Sequence, residues 1–204
     1  TITVNPSAQV DSITSQVLCN GDSTDAIGFT TQNTDGSTTY SWTNDNTSIG
    51  LADSGNGDIP SFTAIAGLSS QVATIVVTPT YTNNGISCLG NSEQFTITVN
   101  PTAQVDSITS QVLCNGDLTD AIGFTTQNTG GTTTYSWTNS NSSIGLISNG
   151  TGNIASFVAE NTSSITQVAT IVVTPTFENG GDSNTGQSHI FTITVNPTAQ
   201  VDSI

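Results

Sequence analysis

The chain has no lysine, arginine or methionine and a single histidine. Its 15 charged residues are all aspartate or glutamate, giving a formal charge of −15. A surface without cations cannot neutralise phosphates, so nucleic acids and anionic lipid surfaces are poor partners, and neither nucleic-acid binding nor membrane insertion is expected. Conventional salt bridges and lysine–asparagine crosslinks, one way of stapling surface fibres, are excluded with them. Stability must come from sheet hydrogen bonds, apolar burial and any disulfide. No apolar run approaches the roughly 20 residues that span a membrane. There is also no helical apolar period, no GxSxG elbow, no phosphate-cradling loop and no Cys/His cluster spaced for zinc. With no basic group to stabilise a developing anion, the chain is read as non-enzymatic.

What the chain does have is repetition. The string TITVNP-[ST]-AQVDSI begins at Thr1, Thr96 and Thr192, at spacings of 95 and 96 residues. A period of that length is a domain, not a solenoid repeat. The expected organisation is the end of one repeat (1–5), two full repeats (6–101 and 102–197) and the start of another (198–204), a window on a longer tandem array. Thr, Ser, Asn and Gly fill most surface positions, and an exterior of hydroxyls and amides without trypsin sites suits exposure outside a cell.

Within each copy, apolar clusters alternate with polar residues between Gly, Asn, Asp and Pro punctuation. The pattern predicts strands over 8–13, 17–19, 26–31, 38–43, 61–64, 72–81 and 94–100. Phe95, Ile97 and Val99 share one face of the last of these. The run VATIVV at 72–77 reads as a central strand covered on both faces. About seven short strands per hundred residues indicates an all-β fold of tandem immunoglobulin-like sandwiches, arranged end to end. Tyr40 with Trp42, and Tyr135 with Trp137, share strand faces whose intervening residues are polar. They read as core aromatics, and a sugar-stacking platform is the alternative.

The joint between copies is short. The strand ending at Val99 passes through Asn100–Pro101 into the first strand of the next copy. Proline fixes its own φ and pushes Asn100 toward an extended conformation. Such a linker is expected to restrict bending, giving a rod of domains.

The segments VLCNGDSTDAIGF (17–29), TTYSWTN (38–44), SIGLADSGNGDIPSFTA (48–64), ATIVVTPTYTNNGISCLG (73–90) and FTITVNP (95–101) together resemble the PKD-like, Ig-type repeats of giant Bacteroidota surface proteins. They are similar to SprB-like gliding-motility adhesins, which are exported by type IX secretion. The resemblance implies a β-sandwich repeat in the stalk or filament of a cell-surface adhesin, and it carries over no catalytic residue. Asp-Ser-Ile, at 11–13, 106–108 and 202–204, is similar to the O-glycosylation signal of that phylum. It marks Ser12, Ser107 and Ser203 as candidates, with Ser23 in a looser match.

Further candidates remain. Cys19 and Cys88 are expected to form a disulfide, worth roughly 4 kcal/mol by chain entropy across its loop. Cys114, the counterpart of Cys19, would then be a buried thiol. Asp22 and Asp25, echoed by Asp117 and Asp120, offer part of an oxygen shell for Ca2+; the competing reading is a turn closed by Asx side chains. Asp35, Asp45, Asp53 and Asp58 become Gly, Ser or Asn in the second copy, which argues against paired-carboxylate chemistry. His189 replaces Glu93 in a polar turn and reads as a surface substitution. The sequence thus points to an extracellular adhesin stalk on a bacterial surface. Its partners would be neighbouring repeats, possible lateral copies, and an external surface or glycan bound by other parts of the protein. A repeated carbohydrate-binding module is the alternative.

Overall fold

The computed structural model describes residues 2–200, so Ser203 lies outside the described residues. The chain forms two compact units: Thr1–Pro101 with Asn179–Asp182, and Thr102–Glu178 with Ser183–Ile204. The first repeat contains β1 (Gln16–Cys19), β2 (Ser37–Asn44), β3 (Ser54–Asn56), β4 (Gln71–Asn83), β5 (Ile86–Leu89) and β6 (Glu93–Asn100). They form one sheet in the order β1-β6-β4-β2-β3, with β5 also on β4. The second repeat copies it with β7 (Gln111–Cys114), β8 (Thr132–Asn139), β9 (Asn149–Thr151), β10 (Gln167–Asn179), β11 (Asp182–Thr185) and β12 (His189–Asn196). The β1–β6 and β7–β12 pairs are parallel and the other ladders antiparallel. The all-β sandwich expected from the sequence is the fold observed.

The second layer departs from expectation. Segments 8–13, 26–31 and 61–64 form no regular strands; the isolated bridges Ser23↔Thr63 and Ile27↔Ile59 and scattered backbone bonds such as Asp11 N–H to Thr30 O hold this layer together. Side-chain bonds interrupt the backbone ladder there. The Phe29 amide donates to Asp58 Oδ1 (2.9 Å), and the Phe62 amide to Thr24 Oγ1 (3.0 Å). Gln16 pairs with both the N–H and the C=O of Asp25. These amides are satisfied, but the repetitive pattern that defines a strand is broken. The short strands β3 and β5 have no apolar alternation to announce them.

β4 also corrects the sequence reading. Ala73, Ile75 and Val77 are wholly buried, whereas Val72 is 51% exposed and Thr74 and Val76 are half-buried. The strand is central in its sheet but covered on one face only, because a two-layer sandwich leaves each sheet an outer face. Pro79 sits within this strand at no cost. Its carbonyl accepts the Gly90 amide. A residue's N and O point to the same side of a strand, so its missing N–H faces the gap between the β6 and β5 ladders.

The inner face of each sheet closes over Ile27, Phe29, Trp42, Ile49, Ile59, Ile75, Ile97 and Val99 in the first repeat, with matching residues in the second. Each such large side chain contributes about 1.5–3 kcal/mol by leaving water. Trp42 lies across Gly55, its register partner on β3, and Trp137 lies across Gly150 in the same way. A Cβ at either glycine would overlap the indole. No helix among the described residues is long and apolar enough to cross a membrane.

Candidate functional site

The aromatic residues decide between the two readings of β2. Trp42 and Trp137 are buried, and Tyr40 and Tyr135 are half-buried against the same cores. Phe29 and Tyr40 meet with ring centroids 5.4 Å apart and planes at 52°, and Phe124 and Tyr135 repeat the contact at 5.5 Å and 49°. Burial holds both tyrosine hydroxyls above the ordinary tyrosine range. No Trp, Tyr or Phe among the described residues is fully exposed; the half-buried Tyr40 lines a shallow hollow of about 590 Å3 with Thr39, Asn56, Gly57 and Thr80.

The segment after each proline is held at several points. Asn33 Oδ1 accepts the Gln9 amide (2.8 Å) and its Nδ2 donates to Ser7 O (3.1 Å). Asn128 repeats both bonds, to Gln104 and Thr102. Gly90 and Gly186 pass so close beneath Ala8 and Ala103 that a Cβ at either would overlap the alanine carbonyl. The chain then crosses from the second layer, where the Asp11 amide donates to Thr30 O (2.9 Å), to β1 beside β6. Ser12 and Ser107 lie exposed on this crossing. The exposed Asp11 carboxylate accepts bonds from Thr30 and Gln32, which hold its pKa below the usual carboxylate value. Sequence reasoning missed these asparagines and glycines. The signal for the asparagines was present: residues 8–33 match 103–128 at every position but Ser23, which becomes Leu118.

Beside the crossing a groove of about 500 Å3 opens, lined by Ser12, Thr14, Gln16, Asp25 and Gly28 among others. The second repeat has the same groove, about 460 Å3, along Ser107, Thr109, Gln111, Asp120 and Gly123. It contains no aromatic residue and no base.

The acidic turns are local closures. Asp22 Oδ2 accepts the Cys19 amide (3.0 Å) and Asp117 Oδ2 the Cys114 amide (2.8 Å). Asp25 and Asp120 use their backbone amides on Gln16 and Gln111. No group of three His, Cys, Asp or Glu converges among the described residues. The Asp22 and Asp117 carboxylates thus close the turn onto the backbone amide three residues upstream. Ser23 is exposed, but its hydroxyl is hydrogen-bonded to that of Ser61 (2.7 Å). His189 is the first residue of β12, and its Nε2 accepts the Ile108 amide (3.2 Å). It braces the crossing segment and is not a turn residue.

The expected Cys19–Cys88 disulfide is not formed, and the reason is distance. Cys19 lies opposite Asn100, at the end of β6 that faces Gln71 of β4, whereas Cys88 lies opposite Tyr81. Ten residues of strand, about 33 Å, separate those ends of β4. A disulfide requires Cα atoms within about 7 Å. Cys88 is on strand β5, and Cys114, expected to be buried, is exposed. Burial, with a smaller effect of the Asp22 charge, pushes the Cys19 thiol up.

No protein-family model matches the chain, and no curated protein matches it. Solved structures do. Protocadherin gamma B2 extracellular cadherin domains 3–6 align with 95% of this chain at 11% identity and a TM-score of 0.52. The chain spans about half (52%) of that structure. Human protocadherin-24 EC1-2 aligns with 96% of this chain and 100% of its own at 13% identity and a TM-score of 0.46. Titin domains I67–I69 align with 94% of this chain and 64% of their own at 12% identity and a TM-score of 0.44. The first likeness shows a sandwich fold shared with cadherin domains.

Proposed function

We propose that the chain is a structural repeat segment of an extracellular adhesion protein, a spacer whose working parts are its folds and joints. The observation that carries this reading is that no described aromatic is fully exposed and that both tryptophans are buried, in two repeats that rebuild one sandwich. A binder of sugars needs an exposed ring, and a catalyst needs a convergent set of polar groups. The likeness to extracellular cadherin domains supports an adhesion setting. The absence of Lys and Arg supports a surface that proteases of trypsin type do not cut.

The finer reading is a stalk of a Bacteroidota cell-surface protein of the gliding-adhesin kind, exported by type IX secretion, with repeats at 6–101 and 102–197. It rests on the ordered motifs and the repeat period. The exposed Ser12 and Ser107 support O-glycosylation on the crossing segments, outside any ladder. A glycan array and an adhesion assay with the purified chain test the spacer reading. Flat binding on both, with antibody labelling of the segment on intact source cells, is the expected result. Saturable binding to one glycan class would establish the carbohydrate-binding alternative instead.

A further inference from the structure

The first and last ladder strands of each repeat are parallel neighbours. Gln16, Val17, Leu18 and Cys19 of β1 lie opposite Ile97, Thr98, Val99 and Asn100 of β6. Gln111–Cys114 lie opposite Ile193–Asn196 in the second repeat. Tension along the backbone pulls β1 toward its N-terminal end and β6 toward its C-terminal end. Because the two strands run the same way, these pulls oppose each other along the strand axis. The bonds between them run across the pull and are strained together, whereas a hairpin pulled at its open end gives up one bond at a time.

The patch is extended at both ends, identically in the two repeats. Ser15 Oγ accepts the Thr96 amide (3.0 Å), and the Asn20 amide donates to Asn100 O (2.7 Å). Ser110 and Asn115 make the same bonds to Thr192 (3.0 Å) and Asn196 (2.9 Å). None of the patch residues is charged, so neither ionic strength nor divalent cations should affect it. The segment upstream, held by Asn33 and by the Asp11–Thr30 bond, would peel before the patch is reached.

We propose that the β1–β6 and β7–β12 patches bear load, and that each repeat resists end-to-end tension by shear of its parallel terminal strands. The inference rests on the spacer reading only for the source of the tension.

Single-molecule force spectroscopy on the whole chain, held at its two ends, tests it. Two unfolding events are expected, each lengthening the chain by about 30 nm at roughly 3.6 Å per residue. Each should have a transition distance of a few Å and a force unchanged by chelator or by salt. By strand alternation from Asn20, the Leu18 amide faces β6 and the Val17 amide faces away. Leu18→Pro should at least halve the force of one event, and Val17→Pro should leave it nearly unchanged. If Leu18→Pro prevents folding, Ser15→Ala decides: it keeps every backbone bond and should lower one of the two forces. Low-force unfolding with a transition distance above about 10 Å, a force lost on chelation, or no effect of Ser15→Ala would overturn the proposal. A weak chain that binds no glycan would overturn load-bearing and leave the spacer reading intact.

Discussion

Gly90 lies directly beneath Ala8, so close that the alanine carbonyl occupies the space a Cβ would need. Gly186 and Ala103 repeat the relationship in the second copy. The corner between β5 and β6 is thereby the seat on which the first segment of each repeat rests. Gly90→Ala or Gly186→Ala should destabilise its repeat by about 1–3 kcal/mol, the cost of overpacking against backbone that cannot yield. Gly67→Ala and Gly123→Ala, at open sites, are the controls and should fall within about 0.5 kcal/mol of wild type. Denaturant unfolding of the four variants checks this, and equal effects at all four would refute it.

Two of the aspartates lost between copies show what the fold requires of them. Asp58 Oδ1 accepts the Phe29 amide (2.9 Å), and Asn153 Oδ1 accepts the Phe124 amide (2.9 Å) at the matching site. Asp45 Oδ1 and Ser140 Oγ likewise accept the Thr74 and Thr170 amides. The acceptor is retained and the charge is not. Asp58→Asn should therefore be nearly neutral, while Asp58→Ala leaves a partly buried amide unsatisfied and should cost about 1–3 kcal/mol. A comparable loss for both would mean that the charge itself matters.

The sheet was legible in the sequence because its strands keep the period of two. Phe95, Ile97 and Val99 all point inward, and so do Tyr40 and Trp42. The second layer was only half legible. Ile27 and Ile59 mark it as apolar and extended, but Asp58, Thr24 and Gln16 interrupt its ladder with side-chain bonds, which leave no periodic trace. Cys19 and Cys88 looked like partners because spacing along a chain does not reveal which end of a sheet a residue reaches. The joint motif was visible as a repeated string; that Asn33 and Asn128 hold its downstream end was not, since both lie about two dozen residues from the backbone they bond.

All three cysteines should titrate as thiols when the unreduced chain is unfolded. In the folded chain Cys114, exposed at the end of β7, should be alkylated first. Cys19 should lag, because burial raises its pKa and lowers its thiolate fraction at neutral pH. Peptide mass spectrometry after timed iodoacetamide treatment reads the order. A recovery of one thiol would restore the Cys19–Cys88 bond and refute the geometry.

Stability should fall at alkaline pH. Tyr40 and Tyr135 have folded pKa values above their ordinary value of 10, chiefly because burial disfavours the phenolate. A group whose folded pKa is raised contributes fully below the unfolded pKa, and that contribution is lost as pH rises through the folded one. The loss therefore begins near pH 10 and continues above it. The double variant Tyr40→Phe, Tyr135→Phe should flatten this decline, measured as unfolding midpoint against pH from 8 to 12. An unchanged slope would assign the alkaline sensitivity elsewhere.

Ser12 and Ser107 are exposed on segments that belong to no ladder, so an attached sugar would displace nothing. Glycosylation there should raise the intact mass of protein isolated from its source above the sequence mass, and Ser12→Ala with Ser107→Ala should lower that increment. Ser23 differs: its hydroxyl is engaged with Ser61, and modification would break that bond. The increment should therefore persist in Ser23→Ala. A native mass equal to that of the bare chain would remove the glycan from the account of these repeats.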